Sequence, residues 1–264
     1  LHQHGPPPQN RTSVAGRSKQ DCNIGGPAAP PSAARRDQEP ALTFTILALD
    51  RQAGLLGGAT ASRSLAAANA VLAVAPHLGA AASQAWTNRR LRGRLLGALA
   101  AGDEPARAVE RVPEWDPEPE LRQVAVLALD GRAAHRTGTD CTAWAGGRAR
   151  TDLVVVGNLL AGPQVLDAMV EAWDASGAAW PEAVAPVDVT EGFARRLVAA
   201  LRAGEEAGGD LRGRQSAGVA VARTGDERLW PPQLAVDLRC DDGPDPIEEL
   251  DRLLRLPGAV VPAV

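Results

Sequence analysis

Aromatic side chains are scarce in this chain: six Trp, two Phe and no Tyr in 264 residues. A core without them falls to Ala, Val and Leu, which suit closely spaced sheets and helices. Lysine occurs once, at Lys19, beside abundant arginine, a bias that reads as GC-rich codon usage. Cysteine is equally sparse. Cys22, Cys141 and Cys240 make an odd number without a CxxC spacing, which argues against a disulfide framework or zinc knuckle and for free thiols. No apolar run approaches the roughly 20 residues of a membrane span. The N-terminus also lacks the apolar stretch of a signal peptide, so a cytoplasmic protein with no membrane partner is expected. The net charge of −4 argues against nucleic acid as a partner. Gly-x-Ser-x-Gly is absent, and the stretch from Gly208 to Ser216 lacks Gly-Lys-Ser/Thr and runs into a strand, so it is no phosphate loop. His77 and His135 have no ligand spacing, and Asp237, Asp241, Asp242 and Asp245 read as turn and helix-capping residues before they read as a cation site. No metal and no cofactor is expected.

Residues 1–42 carry Pro6-Pro7-Pro8, Gly25-Gly26-Pro27 and Pro30-Pro31 among polar side chains. Such a segment has too little apolar surface to offset its ordering entropy, and it reads as a disordered leader or a mis-assigned start. Patterned sequence starts at Thr43. Residues 43–257 are sized for one domain, with 258–264 as a tail.

Thr43–Asp50 reads as a strand, with Phe44, Ile46 and Ala48 alternating with Thr45, Leu47 and Leu49. Asp50 opens a turn with Gly54 at its tip, and Leu55–Ser62 returns, its small residues implying close approach of a neighbour. Further strands are expected near 71–75, 79–84, 122–129, 133–137, 153–159, 216–223 and 234–238. Helices are expected over 88–101, over 104–111 with a stop at Pro113, from Gly162-Pro163 through Trp173, over 190–207 with Thr190 as N-cap, and from Asp245-Pro246 to Leu256. Paired strands alternating with blocks of helices predict an α+β protein, two sheets sandwiched between helix layers.

Residues 43–256 resemble a bacterial family known as domain of unknown function 1028, placed in the N-terminal-nucleophile (Ntn) hydrolase superfamily. The resemblance rests on Thr43-Phe44-Thr45-Ile46, Ala61-Ser62-Arg63-Ser64 and Ser83-Gln84-Ala85-Trp86-Thr87-Asn88. It continues through Cys141-Thr142-Ala143-Trp144-Ala145-Gly146, the run from Gly157 to Gly162, the run from Glu205 to Asp210, Gly213-Arg214-Gln215-Ser216-Ala217, and Asp237 to Pro246. It implies a four-layer αββα sandwich and hydrolysis of an amide bond by an N-terminal nucleophile. Two positions depart from the family pattern: Gly147 and Gly243 stand where it usually has His.

Thr43 is the nucleophile this resemblance implies. A free N-terminal Thr carries its own general base, since its α-amine, with a pKa near ~8, lies within reach of its hydroxyl. Leu42 precedes it. Were Leu42 an alternative start codon read as Met, removal of that Met would expose Thr43; the alternative is a real extension. Ser62, Ser83, Gln84 and Asn158 are candidate substrate-binding residues, and Asn88 with Arg63 completes the catalytic set as donor and charge stabiliser. The substrate class is a small amide or peptide-like molecule, and a homo-oligomer is compatible with the sequence. The alternative is a non-catalytic small-molecule-binding or structural subunit on the same fold, in which Thr43 is an ordinary strand threonine.

Overall fold

The computed structural model describes residues 43–141, 144–177, 186–225, 228 and 231–262, with 186–188 as backbone alone. The leader, Lys19, Cys22, Leu42 and the Thr142-Ala143 pair lie outside the described residues.

The first hairpin follows the expected bounds. β1 (Thr43–Asp50) pairs antiparallel with β2 (Leu55–Ser62), Thr43 opposite Ser62 and Asp50 opposite Leu55. The Asp50 carboxylate accepts from the N–H groups of Gln52 and Ala53 and so closes the turn. The small residues of β2 admit neighbours: a Cβ on Gly58 would lie 2.6 Å from Leu47 Cδ2. A short helix, α1 (Ala67–Val71), then leads into β3 (Leu72–Ala75) and β4 (Gly79–Ala85). The expected strand near 71–75 therefore starts one residue later, after a helix the sequence pattern does not signal.

Next come α2 (Arg89–Ala100), α3 (Pro105–Glu110) and α4 (Val112–Trp115). Pro113 was expected to stop the helical segment. It sits instead in the first turn of α4, where a missing N–H costs nothing. β5 (Arg122–Ala128) and β6 (Ala133–Thr137) form the next hairpin, and β7 (Trp144–Arg150) and β8 (Leu153–Leu160) another. α5 (Gln164–Gly177) and α6 (Pro186–Glu206) follow. Thr190 is buried inside α6 rather than capping it, because the helix begins at Pro186. β9 (Ser216–Arg223), β10 (Val236–Cys240) and α7 (Pro246–Leu254) complete the chain. Within the expected tail, Val260 is buried and the Val261 N–H donates to Ala235 O at 2.8 Å.

Among the described residues, two antiparallel sheets and seven α-helices make a mixed α/β protein. The six-stranded sheet runs β10-β9-β2-β1-β8-β7 and the four-stranded sheet β3-β4-β5-β6. Alternation along β1 divides the cores. Phe44, Ile46 and Ala48 pack with Leu166 and Met169 of α5, Phe193 and Leu197 of α6, and Leu250 of α7. Leu47 and Leu49 point the other way and pack against Leu72, Ala80, Ala82 and Leu127 of the four-stranded sheet. The opposite face of that sheet, through Ala81, Val124 and Val126, packs on Leu91 and Leu95 of α2 and Val109 of α3. β1 is buried on both faces, which explains why its apolar residues run almost without interruption.

Candidate functional site

Thr43 opens β1 level with Ser62 on β2 and Asn158 on β8. All three are buried, Thr43 with no exposed surface at all. Thr43 Oγ1 donates to Ser62 Oγ at 3.1 Å. The Thr43 carbonyl accepts from Gln84 Nε2 at 3.0 Å and Asn158 Nδ2 at 3.3 Å. Gln84 reaches it from the other sheet, on the face of β4 that also carries Ala80 and Ala82. The structure therefore gathers Thr43, Ser62, Gln84 and Asn158 between the sheets.

Behind them lies a second tier. Gln123 Oε1 accepts from Gln84 Nε2 at 2.7 Å and from Asn158 Nδ2 at 3.1 Å. Its Nε2 donates to Thr137 Oγ1, Gly146 O and Gly157 O. Thr45 Oγ1 donates to Gln84 Oε1 at 2.6 Å and lies 2.8 Å from Thr60 Oγ1. The sequence reading missed Gln123, Thr45, Thr60 and Thr137. The signal for Gln123 was there, a lone amide heading the apolar run Val124–Leu129, on the same face as the buried Ala125 and Leu127.

Two residues with left-handed backbone follow the two amides that hold Thr43: Ala85 with φ 65° after Gln84, and Leu159 with φ 55° after Asn158. Side chains other than glycine pay for this conformation, and such strain gathers at functional sites. Asn158 Oδ1 is buried without a hydrogen-bond partner among the described residues, an open acceptor beside the Thr43 carbonyl.

Ser83 and Asn88 are not brought to Thr43. Adjacent strand residues face opposite ways, so Ser83 shares the face of Ala81, toward α2, and donates to Asn88 O at 2.9 Å. Asn88 caps α2 by accepting from Arg90 N at 3.0 Å, and its Nδ2 donates to Asp116 Oδ2 at 2.7 Å. Asp116 also binds Arg122 Nε at 2.8 Å. Burial works to raise the Asp116 pKa, but the hydrogen bonds from Arg122 and Asn88 and from the Glu118 N–H outweigh it and hold the carboxyl below its usual range. Arg63 is exposed and is not brought to the Thr43 network. Its N–H donates to Asp210 Oδ2 at 2.9 Å and its guanidinium donates to Arg212 O.

Gly147 and Gly243 have contrasting surroundings. A Cβ on Gly147 would lie 2.8 Å from Cγ and Nδ1 of His135, so that imidazole fills the space beside the strand. Burial, and then the charge of Arg148, hold the His135 pKa below its ordinary value. A Cβ on Gly243 would meet only Cys240 Sγ, at 3.0 Å. In the acidic stretch, Asp242 accepts from Gln215 Nε2 at 3.1 Å and Asp245 pairs with Arg214. Among the described residues no group of three or more His, Cys, Asp or Glu is placed to hold a metal ion. Burial pushes the Cys141 thiol up to about 11, which leaves it protonated and inert near neutral pH.

A family model described as a family of unknown function (DUF1028) matches residues 43–250. A crystal structure of a protein from Silicibacter pomeroyi, assigned to the same family, superposes with a TM-score of 0.67 and 34% sequence identity, over 80% of this chain and 87% of that one. No curated protein matches the chain. No helix among the described residues is long and apolar enough to cross a membrane.

Proposed function

The chain belongs to the family of unknown function DUF1028, and from that premise and the geometry around Thr43 we propose that it is an Ntn-type hydrolase of amide or peptide-like bonds, with Thr43 as nucleophile. The order helices, sheet, sheet, helices supports this reading, since it is the αββα layering that the superfamily implies. The observation that carries it is the grip on Thr43: Ser62 on the hydroxyl, Gln84 and Asn158 on the carbonyl, from three different strands. A residue so held is pre-oriented, which is what a nucleophile needs.

In this mechanism the peptide bond before Thr43 is absent from the working protein, and the free α-amine accepts the proton from Oγ1. Oγ1 then forms a bond to the substrate carbonyl carbon, and the carbonyl oxygen becomes an oxyanion. Asn158 Nδ2 is the donor best placed to turn toward it, since its bond to Thr43 O, at 3.3 Å, is the longer of the two that hold the carbonyl. Collapse breaks the C–N bond, the amine leaves with the proton from the α-ammonium, and water hydrolyses the resulting ester. Arg63, whose guanidinium is engaged by the Arg212 carbonyl, takes no part in proton transfer.

The test is to express residues 43–264 behind a removable Met and to screen amides against this protein and its Thr43→Ala variant. Turnover that depends on Thr43, and a Thr43 adduct with an electrophilic probe by mass spectrometry, are expected. Neither appearing would leave a non-catalytic binding or structural protein on the same fold. That second reading has one observation in its favour: the described part of the domain has no lysine to tune the nucleophile.

A further inference from the structure

A groove of about 610 Å³ opens beside α2, away from the Thr43 network. It lies between β3, an edge of the four-stranded sheet, and β10, an edge of the six-stranded sheet. Leu72, Val74, Leu96 and Leu234 give it apolar walls, and Arg89, Arg92 and Arg239 reach into it. Asp237 is the one carboxylate lining it among the described residues, so three guanidinium groups face a single negative charge.

These arginines differ from others on the surface. Arg51, Arg148 and Arg202 each pair with a carboxylate. Arg89, Arg92 and Arg239 have no carboxylate partner among the described residues. Arg92 is also locked in place. Its Nη1 donates to Asn69 O at 3.1 Å and to Leu72 O, and its Nε donates to Arg89 O at 3.3 Å. Carbonyl oxygens thus occupy one side of the fork, and Nη2 has no protein partner among the described residues. A guanidinium held by neutral carbonyls keeps its full charge for a ligand and has already lost the freedom that binding would cost.

We propose that this groove binds a small amphipathic anion, its charged head met by Arg89, Arg92 and Arg239 and its apolar body lying along Leu72, Val74, Leu96 and Leu234. A carboxylate or a phosphate head satisfies the same fork. None of the residues named here belongs to the Thr43 network, so this site stands or falls independently of the hydrolase reading.

Calorimetric titration of the protein with octanoate, octyl phosphate and octanol tests it. Saturable one-to-one binding of at least one anion is expected, at least about tenfold tighter than octanol; which anion binds tighter identifies the head group. Arg89 and Arg239 are exposed, so the double variant Arg89→Gln/Arg239→Gln keeps its fold, checked by an unchanged melting temperature, and loses at least about tenfold in affinity for the anion. Thr43→Ala binds as well as the parent protein. No saturable binding of either anion, equal affinity for octanol, or undiminished binding by the double variant would overturn the proposal.

Discussion

Replacing Gln123 by Leu takes the shared acceptor away from Gln84 and Asn158 and the donor away from Thr137, Gly146 O and Gly157 O. Each buried polar group left unpaired costs about 1–3 kcal/mol. Gln123→Leu is therefore expected to lose about 3 kcal/mol or more, read as a lower midpoint in urea with an unchanged slope. Gly147→Ala sets a methyl against the His135 ring. Overpacking of this kind costs about 1–3 kcal/mol, and His135→Ala in the same chain should recover most of it, a coupling that a double-mutant cycle measures. At this scale the candidate site was only partly legible. Thr43, Ser62, Gln84 and Asn158 sit together as the motifs suggest. Ser83 and Asn88 belong to the same motif as Gln84, yet the strand's alternation sends Ser83 to the other face and the helix start takes Asn88 as its cap. A motif read along the chain does not say which way each side chain points.

Among the elements, the junction of β4, α2 and β5 is tied by Asp116. Its carboxylate joins Arg122 on β5 to the Asn88 cap of α2. Because the Asp116 pKa is lowered by folding, the unfolded chain binds more protons than the folded one as acid is added. The stabilisation is complete above the unfolded value, near ~4, and is lost as pH falls through the folded one. Asp116→Ala leaves the buried Arg122 with only its longer pair to Glu118, at 3.4 Å, and the Trp86 carbonyl, and should cost about 3 kcal/mol at neutral pH, with a smaller loss against the parent in acid; urea titrations at several pH values read both. β1, β2 and β9 are legible in the sequence to the residue, since apolar or small residues run between clear turns. β7 is not. Trp144–Arg150 contains two glycines and two arginines, and an edge strand need not alternate. Its arginines instead pair outward, Arg148 with Asp167 and Arg150 with Asp174 of α5. These charges guard the edge against pairing with another chain.

For the whole molecule, the three cores predict a gradient of protection. Amides of β1, β2 and β8 sit in the middle of the larger sheet, beneath helices on one face and the second sheet on the other. Hydrogen exchange there should follow global unfolding, while β7 and β10, at the edges, exchange through smaller openings. Fast exchange in β1 would contradict this layering. The general architecture, strands and helices in alternating blocks, was readable because each block changes its apolar period. How the blocks stack was not, since that depends on pairings between distant strands. β1 is flanked by β2, which follows at once, and by β8, whose Asn158 pairs with Thr43 across 115 positions. A ribosome must therefore have extended the chain 115 positions beyond Thr43 before Thr43 gains its second neighbour. During synthesis β1 waits with one edge of N–H and C=O groups unpaired, and the protein is at its most vulnerable to aggregation in that interval. The grip on Thr43 cannot close before β8 is made, so any chemistry that depends on it is withheld until more than half of the domain exists.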